Sequence, residues 1–105
     1  MDYQLVLQFP AATEEEAERL LTLEDDFIEV LEDSADVEGH ESDASLMNFF
    51  VGTDDAEETF ERLRPFLEEK NLLALVQVAY RHVDEEDYIP LWPEDEKERK
   101  FKVPA

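Results

Sequence analysis

The sequence predicts a single α+β domain in which two helices pack on one face of an antiparallel sheet. Short segments whose apolar residues alternate in steps of two flank two longer segments whose apolar residues recur in steps of three and four. The chain has 105 residues, 43% of them hydrophobic, which is enough for one core. No repeat or linker divides it, so we expect residues 1–105 to fold as one domain.

The first two elements have clear boundaries. Residues 2–9, DYQLVLQF, alternate in the manner of a half-buried strand, and Pro10 closes them. Thr13 followed by Glu16 is the signature of a capping box at a helix start. The apolar stripe that follows predicts one continuous helix of about 18 residues. Thr22 with Asp25 repeats the cap signature, which leaves a kink or restart open.

A hairpin and a second helix follow. Residues 35–41 and 45–52 predict two strands around a polar turn, because Met47, Phe49 and Val51 alternate with their neighbours in the second. Asp54 with Glu57 predicts the cap of a second helix that runs to about residue 71. Pro65 lies inside this helix, where it removes a backbone hydrogen bond, so we expect a bend.

The last third of the chain begins with its most hydrophobic segment. Residues 72–83, LLALVQVAYRHV, predict a fourth strand, and the acidic run 84–87 predicts a turn after it. Residues 88–105 are expected to form a C-terminal extension, which starts with YIPLW. The aromatic and apolar side chains of that pentapeptide have little reason to stand in water together, so we expect them to pack.

The element order β-α-β-β-α-β is the ferredoxin-like pattern, with a four-stranded antiparallel sheet in the order 4-1-3-2. The side chains expected to face the helices are Leu5, Leu7, Phe9, Met47, Phe49, Val51, Ala74, Val76, Val78 and Tyr80. Those expected on the opposite face are Gln4, Val6, Gln8, Asn48, Phe50, Leu75, Gln77 and Arg81. That second face is half apolar, so we expect either YIPLW to fold back over it or a second chain to cover it in a homodimer.

Several stretches of the chain carry a resemblance to known proteins. EGHESDASLMNFFVGTDD, ETFERLRPFL, YRHV and DYIPLWP resemble a group of small bacterial α+β proteins without an assigned activity. The resemblance covers most of the chain and implies a ferredoxin-like fold. It transfers no catalytic or binding residue.

The net charge of −21 restricts the partners. Residues 1–96 carry 29 acidic and 5 basic side chains, whereas residues 97–105 carry four basic and one acidic. Phosphates and anionic membrane surfaces repel so negative a body, which argues against nucleic-acid and membrane binding. The chain has no cysteine, no basic leader and no apolar run of about 18 residues. We therefore expect a cytoplasmic protein.

Residues that could perform chemistry are few. His40 lies beside Gly39 among acidic residues, yet the predicted strand order puts it and His82 on opposite edges of the sheet, about 14 Å apart. That separation argues against one shared metal ion, so His40 remains a residue of interest without an assigned role. No nucleophile motif, phosphate-binding loop or thiolate site is present. The sequence thus predicts no catalytic residue, metal or cofactor, and it favours binding over catalysis.

The acidic side chains form the main candidate site. The predicted helix periodicity places a set of carboxylates on the outer faces of the two helices, where neighbours stand roughly 5–6 Å apart. The set consists of Glu14, Glu15, Glu18, Asp25, Glu29, Glu57, Glu58, Glu61 and Glu68. Such a surface suits a basic protein partner, as in an inhibitor or immunity-type protein. Two alternatives stay open, namely adaptation to high salt or solubility, and a ligand or catalytic pocket inside an α+β barrel dimer.

Overall fold

In the part of the chain that the structure describes, five strands form one antiparallel sheet, and two α-helices pack on one of its faces. The computed structural model describes residues 2–43 and 45–92. The elements are β1 (Tyr3–Pro10), α1 (Glu14–Leu31), a short 3-10 helix (Glu32–Ser34), β2 (Asp36–Asp43), β3 (Leu46–Thr53), α2 (Ala56–Glu69), β4 (Gln77–His82) and β5 (Ile89–Trp92). The strands lie in the order β2-β3-β1-β4-β5. The α+β class is confirmed, whereas the prediction of a four-stranded sheet is wrong because β5 adds a strand.

The core lies between the helices and every second residue of the central strands. The sheet contributes Leu5, Leu7, Phe9, Met47, Phe49, Val51 and Val78, and the helices contribute Leu23, Phe27, Leu31, Phe60, Leu63 and Leu67. All of these side chains are buried. Burial of each of these side chains stabilises the fold by about 1.5–3 kcal/mol. The alternation of apolar residues in β1 and β3 therefore determines which face of the sheet packs against the helices.

The first helix begins at the predicted capping box and continues without interruption. The Thr13 hydroxyl accepts a hydrogen bond from the Glu16 amide at 3.2 Å, and the Glu16 carboxylate accepts one from the Ala12 amide at 2.9 Å. The Thr22 hydroxyl donates to the Arg19 carbonyl of the same helix at 2.9 Å. Thr22 therefore does not cap a second segment, and the helix spans 18 residues in one piece.

The second helix starts one residue later than predicted. Its cap is Asp55, whose carboxylate accepts from the Glu58 amide at 3.1 Å. The buried Thr53 hydroxyl sets this register, because it accepts from the Asp55 amide at 3.1 Å and lies 2.6 Å from the Thr59 hydroxyl. The prediction of Asp54 as the cap is wrong, because the buried contact between the Thr53 and Thr59 hydroxyls makes Asp55 the residue that precedes the helix. The helix continues past Pro65 to Glu69.

The predicted fourth strand is half turn and half strand. Leu72 donates its amide to the Leu67 carbonyl at 2.8 Å, and Val76 donates to the Leu72 carbonyl at 3.0 Å. These bonds close successive turns before β4 begins at Gln77. Ala74 was predicted to face the helices and Leu75 the second face, but both lie in this turn, and Leu75 is 55% exposed. Hydrophobicity alone therefore overestimated the strand.

Residues 89–92 of the YIPLW segment add a fifth strand to the sheet. Within it, Ile89 pairs with Tyr80 and Pro90 with Ala79 along β4. Trp92 anchors the strand, because its indole N–H donates to the Leu73 carbonyl at 2.9 Å. Tyr88 lies on the second face of the sheet, where its hydroxyl donates to the Gln4 side chain at 3.1 Å. Residues 93–105 of the predicted extension lie outside the described residues.

We expect Asp55→Ala to lower the free energy of unfolding by about 1 kcal/mol, since the first turn of α2 loses its side-chain cap. Asp54→Ala is the matched control and should change it by less than about 0.5 kcal/mol. Urea unfolding followed by circular dichroism measures both. Equal losses in the two variants would contradict the assignment of the cap.

Candidate functional site

The predicted acidic side chains all lie on the exposed faces of the two helices, and we call this set the acidic helix surface. Its members are Glu14, Glu15, Glu18, Asp25 and Glu29 on α1, and Glu57, Glu58, Glu61 and Glu68 on α2; all nine are exposed. The helices lie side by side, because the Phe27 and Phe66 rings meet edge to face at 6.0 Å. The apolar stripes point to the sheet, so the carboxylates point to water.

Only three cations of the described part of the chain pair with this surface. Arg19 meets Glu15 at 2.8 Å, Arg62 meets Glu58 at 3.6 Å, and Arg64 meets Glu61 at 3.4 Å. All three pairs join neighbours on one helix and face solvent, so each contributes well under about 1 kcal/mol. Within residues 2–43 and 45–92, no salt bridge reaches the other six carboxylates. The surface therefore keeps most of its negative charge.

The other two described cations also contact aromatic rings. The Lys70 ammonium lies 6.0 Å from the Phe66 ring centre, and the Arg81 guanidinium lies 5.8 Å from the Tyr88 ring centre. Arg81 also donates to the Gln4 side chain at 3.1 Å, on the side of the sheet away from the helices. Neither residue therefore neutralises the acidic helix surface through a salt bridge.

His40 acquires a partner that the sequence did not indicate. Its Nδ1 lies 2.5 Å from Oε2 of Glu24 on α1, and its ring lies 6.2 Å from that of Phe49. A bulge at Gly39, with φ of 143°, shifts the register of β2 and turns His40 toward the helices. No periodicity in the sequence reveals which turn of α1 lies over β2, so Glu24 was missed. The contact ties an edge strand to a helix.

The geometry of His40 offers little for catalysis or metal binding. In the described part of the chain, no hydrogen bond joins it to Ser42, and no group of three His, Asp or Glu side chains is placed to hold an ion. His82 ends β4, which lies three strand positions away from β2 in the sheet. The prediction that the two histidines lie on different strands and far apart is confirmed, but β4 is not an edge strand because β5 flanks it.

A cavity of about 260 Å³ opens where the start of α2 meets β1 and β4. Its walls are Tyr3, Asp54, Asp55, Ala56, Glu57 and Tyr80. The rings of Tyr3 and Tyr80 meet edge to face at 5.9 Å. Burial raises the pKa of Tyr80 above its ordinary value of 10.0, with smaller contributions from the charges of Glu57 and Tyr3. The cavity thus combines aromatic walls with carboxylates, a lining that favours cations over anions.

Sequence reasoning missed this cavity, although one signal pointed to it. Tyr3 and Tyr80 share the helix-facing side of neighbouring strands, which their parity with Leu5 predicts. What the sequence lacks is the position of the α2 start over them. Glu57 lines the cavity and belongs to the acidic helix surface, so the two features are continuous.

A second cavity of about 400 Å³ lies at the far end of α2. Its walls are Arg64, Glu68, Asn71, Leu73, Ala74 and Trp92. The Arg64 guanidinium lies 4.6 Å from the Trp92 ring centre.

Comparison with known proteins supports the fold only. The chain matches no protein-family model, and no curated protein matches it. It is similar to a solved structure titled "De novo designed protein Foldit4", at 21% sequence identity and a TM-score of 0.53, over 82% of this chain and 100% of the other. At that identity the likeness concerns backbone architecture. The resemblance to small bacterial α+β proteins stays a prediction.

Neither helix in the described part of the chain is long and apolar enough to cross a membrane.

We expect Glu57→Gln to lower the pKa of Tyr80 toward 10.0, because a nearby negative charge that opposes the phenolate is removed. Glu58→Gln is the matched control, since Glu58 pairs with Arg62 and is not a cause of the shift. NMR titration of the tyrosine rings resolves the effect. Because the folded pKa is raised, this contribution to stability is complete below pH 10 and disappears as the pH rises through the folded pKa. Tyr80→Phe should therefore weaken the alkaline loss of stability.

We expect the contact between Glu24 and His40 to contribute no more than about 1 kcal/mol, since both side chains are partly exposed. Glu24→Gln, His40→Gln and the double variant give the coupling free energy through a double-mutant cycle. Zinc chloride should leave the urea midpoint of the unmutated protein unchanged. A zinc-dependent rise that His40→Gln abolishes would contradict a purely structural role.

Proposed function

We propose that this protein is a non-enzymatic acidic binding module whose acidic helix surface binds a basic protein, in the manner of an inhibitor or immunity-type protein. One observation carries the proposal. Six exposed carboxylates on two adjacent helices have no salt-bridge partner within the described residues. A partner that places Lys or Arg over them gains charge pairs without first breaking existing ones.

Charge on this scale acts mainly on the rate of association. A surface of one sign attracts an oppositely charged protein before contact and can raise association rate constants by about 10- to 1,000-fold at low salt. Each exposed pair formed afterwards contributes only about 0.2–1 kcal/mol. Tight binding therefore also needs buried anchors, and the tyrosine-lined cavity beside Glu57 offers a place for one cationic side chain of the partner.

The fold we assign to this module is ferredoxin-like with an added edge strand. The element order β-α-β-β-α-β followed by β5 supports this assignment, together with both helices on one face. We further propose that the protein works in the cytoplasm without a cofactor. Its net charge of −21 supports a basic protein rather than nucleic acid as the partner.

A small cationic ligand is the second candidate, and the cavity of about 260 Å³ favours it. Two tyrosine rings and the carboxylates of Asp54 and Glu57 form the kind of wall that binds ammonium groups. In this alternative the remaining acidic residues serve solubility or tolerance of high salt, and the cavity alone binds.

Protein capture with charge-matched variants tests the proposal. We expect the immobilised protein to retain a basic protein from a lysate of its source cells, and Glu18→Gln/Glu29→Gln/Glu68→Gln to lower the association rate constant by about tenfold. The control Glu85→Gln/Glu86→Gln/Asp87→Asn removes three charges from the exposed turn before β5. Equal losses in the two triple variants would show that net charge, not the acidic helix surface, attracts the partner.

Salt dependence separates binding from salt adaptation. Capture should weaken strongly toward half-molar salt, where screening acts over about 4 Å. Adaptation to high salt predicts instead that the fold is lost in dilute buffer and restored in molar KCl. A stable fold in dilute buffer without any captured protein would favour the cavity as the binding site. Calorimetry with small amines would then identify its ligand.

A further inference from the structure

The tyrosine-lined cavity of about 260 Å³ has walls that suit a cation, yet no Lys or Arg side chain is among its lining residues. The described part of the chain holds the basic residues Arg19, Arg62, Arg64, Lys70 and Arg81. Within residues 2–43 and 45–92, no hydrogen bond or salt bridge engages the carboxylates of Asp54 and Glu57. These two acceptors are therefore available to a ligand.

The two tyrosine rings form a corner of the cavity. The ring centres of Tyr3 and Tyr80 lie 5.9 Å apart, and the ring planes meet at 71°. Both side chains are half-buried, whereas Asp54 and Glu57 are exposed. Burial raises the pKa of Tyr80, and the charge of Glu57 adds to the rise, so this carboxylate acts on the Tyr80 hydroxyl at short range. A ligand in the corner can therefore meet an aromatic ring and a carboxylate together.

The size and the charge of the cavity fit one cationic side chain. Its volume lies below the roughly 300–1,000 Å³ that is typical of sites for drug-sized ligands. The start of α2 carries a partial positive charge of about half an elementary charge, which would favour an anion. The carboxylates of Asp55, Glu57 and Glu58 at the same end of the helix outweigh that partial charge. The cavity therefore favours a cation.

We infer that the tyrosine-lined cavity anchors an arginine side chain of the basic partner and selects it over a lysine side chain. This inference rests on the proposed binding of a basic protein, and it names the side chain that the cavity recognises. A guanidinium is planar, weakly hydrated and carries five N–H donors, so it can lie on an aromatic ring while its edge donates to carboxylates. An ammonium is a compact and strongly hydrated charge, which loses more water on entering the corner.

The same chain contains two arrangements of this kind that are already filled. The Arg81 guanidinium lies 5.8 Å from the Tyr88 ring centre, and its Nε donates to the Gln4 side chain at 3.1 Å. The Arg64 guanidinium lies 4.6 Å from the Trp92 ring centre and pairs with Glu61 at 3.4 Å. Each arrangement combines an aromatic ring with an oxygen acceptor. The cavity offers the same two components to an arginine of the partner.

Titration with model side chains tests the selection. Acetyl-arginine methylamide, acetyl-lysine methylamide and the uncharged acetyl-citrulline methylamide are added to the full chain in dilute buffer at neutral pH, and NMR follows the ring signals of Tyr3 and Tyr80. We expect the arginine derivative to bind about fivefold more tightly than the lysine derivative. The citrulline derivative should leave the signals unchanged.

The outcomes separate this inference from the proposed function. Equal affinities of the arginine and lysine derivatives would overturn the selection and leave a cavity that binds cations without preference. Unchanged tyrosine signals with both cations would overturn the inference as a whole. Neither result decides whether the acidic helix surface captures a basic protein, which the charge-matched triple variants measure separately.

Variants assign the effect to the cavity walls. Glu57→Gln should weaken binding of the arginine derivative by about threefold, while Glu58→Gln changes the net charge equally and should leave the affinity unchanged. Tyr80→Phe keeps the ring and should keep the preference for arginine, whereas Tyr80→Leu should abolish it. Equal losses in the two glutamate variants, or an unchanged preference in Tyr80→Leu, would overturn the inference. Both glutamates are exposed, so their comparison does not depend on how the tyrosine variants fold.

Discussion

The packing of Phe49 is the contact on which the layers of this protein depend. Its ring meets Phe9 of β1 edge to face at 5.7 Å and Phe27 of α1 at 5.4 Å. Phe27 in turn meets Phe66 of α2 at 6.0 Å, and the ring of His40 on β2 lies 6.2 Å from that of Phe49. One chain of aromatic contacts thus connects three strands and both helices. Each pair adds about 0.5–1.5 kcal/mol to its area burial.

The core between the helices and the sheet explains how so acidic a chain folds. The aromatic contacts and the aliphatic side chains around them bury their surface against a single sheet face, which leaves the outer sides of both helices free for carboxylates. Repulsion between the charges opposes compaction, but it is weak where water and salt surround each group. The buried core thus stabilises the protein, while the exposed faces of the helices carry the negative charge.

The elements that the sequence predicted correctly have local causes. Thr13 and Glu16 cap α1 by contacts within one turn, and the alternation of β1 and β3 follows from the pleat. The errors have causes at longer range or in specific hydrogen bonds. Asp55 displaced Asp54 as a cap because Thr53 and Thr59 pair in the core, and β5 formed because β4 had a free edge that Trp92 could anchor.

The candidate site likewise has one part that the local sequence pattern predicts and another part that depends on long-range packing. Exposure of the nine carboxylates follows from helical period alone, so the acidic helix surface was predictable residue by residue. The tyrosine-lined cavity was not, because it depends on where the start of α2 lies over Tyr3 and Tyr80. Glu57 is the link between the two, since it is predictable as a surface residue and yet acts on the pKa of Tyr80. The proposed binding site therefore combines an acidic surface that the helical period predicts with a cavity that only the packing of α2 on the sheet creates.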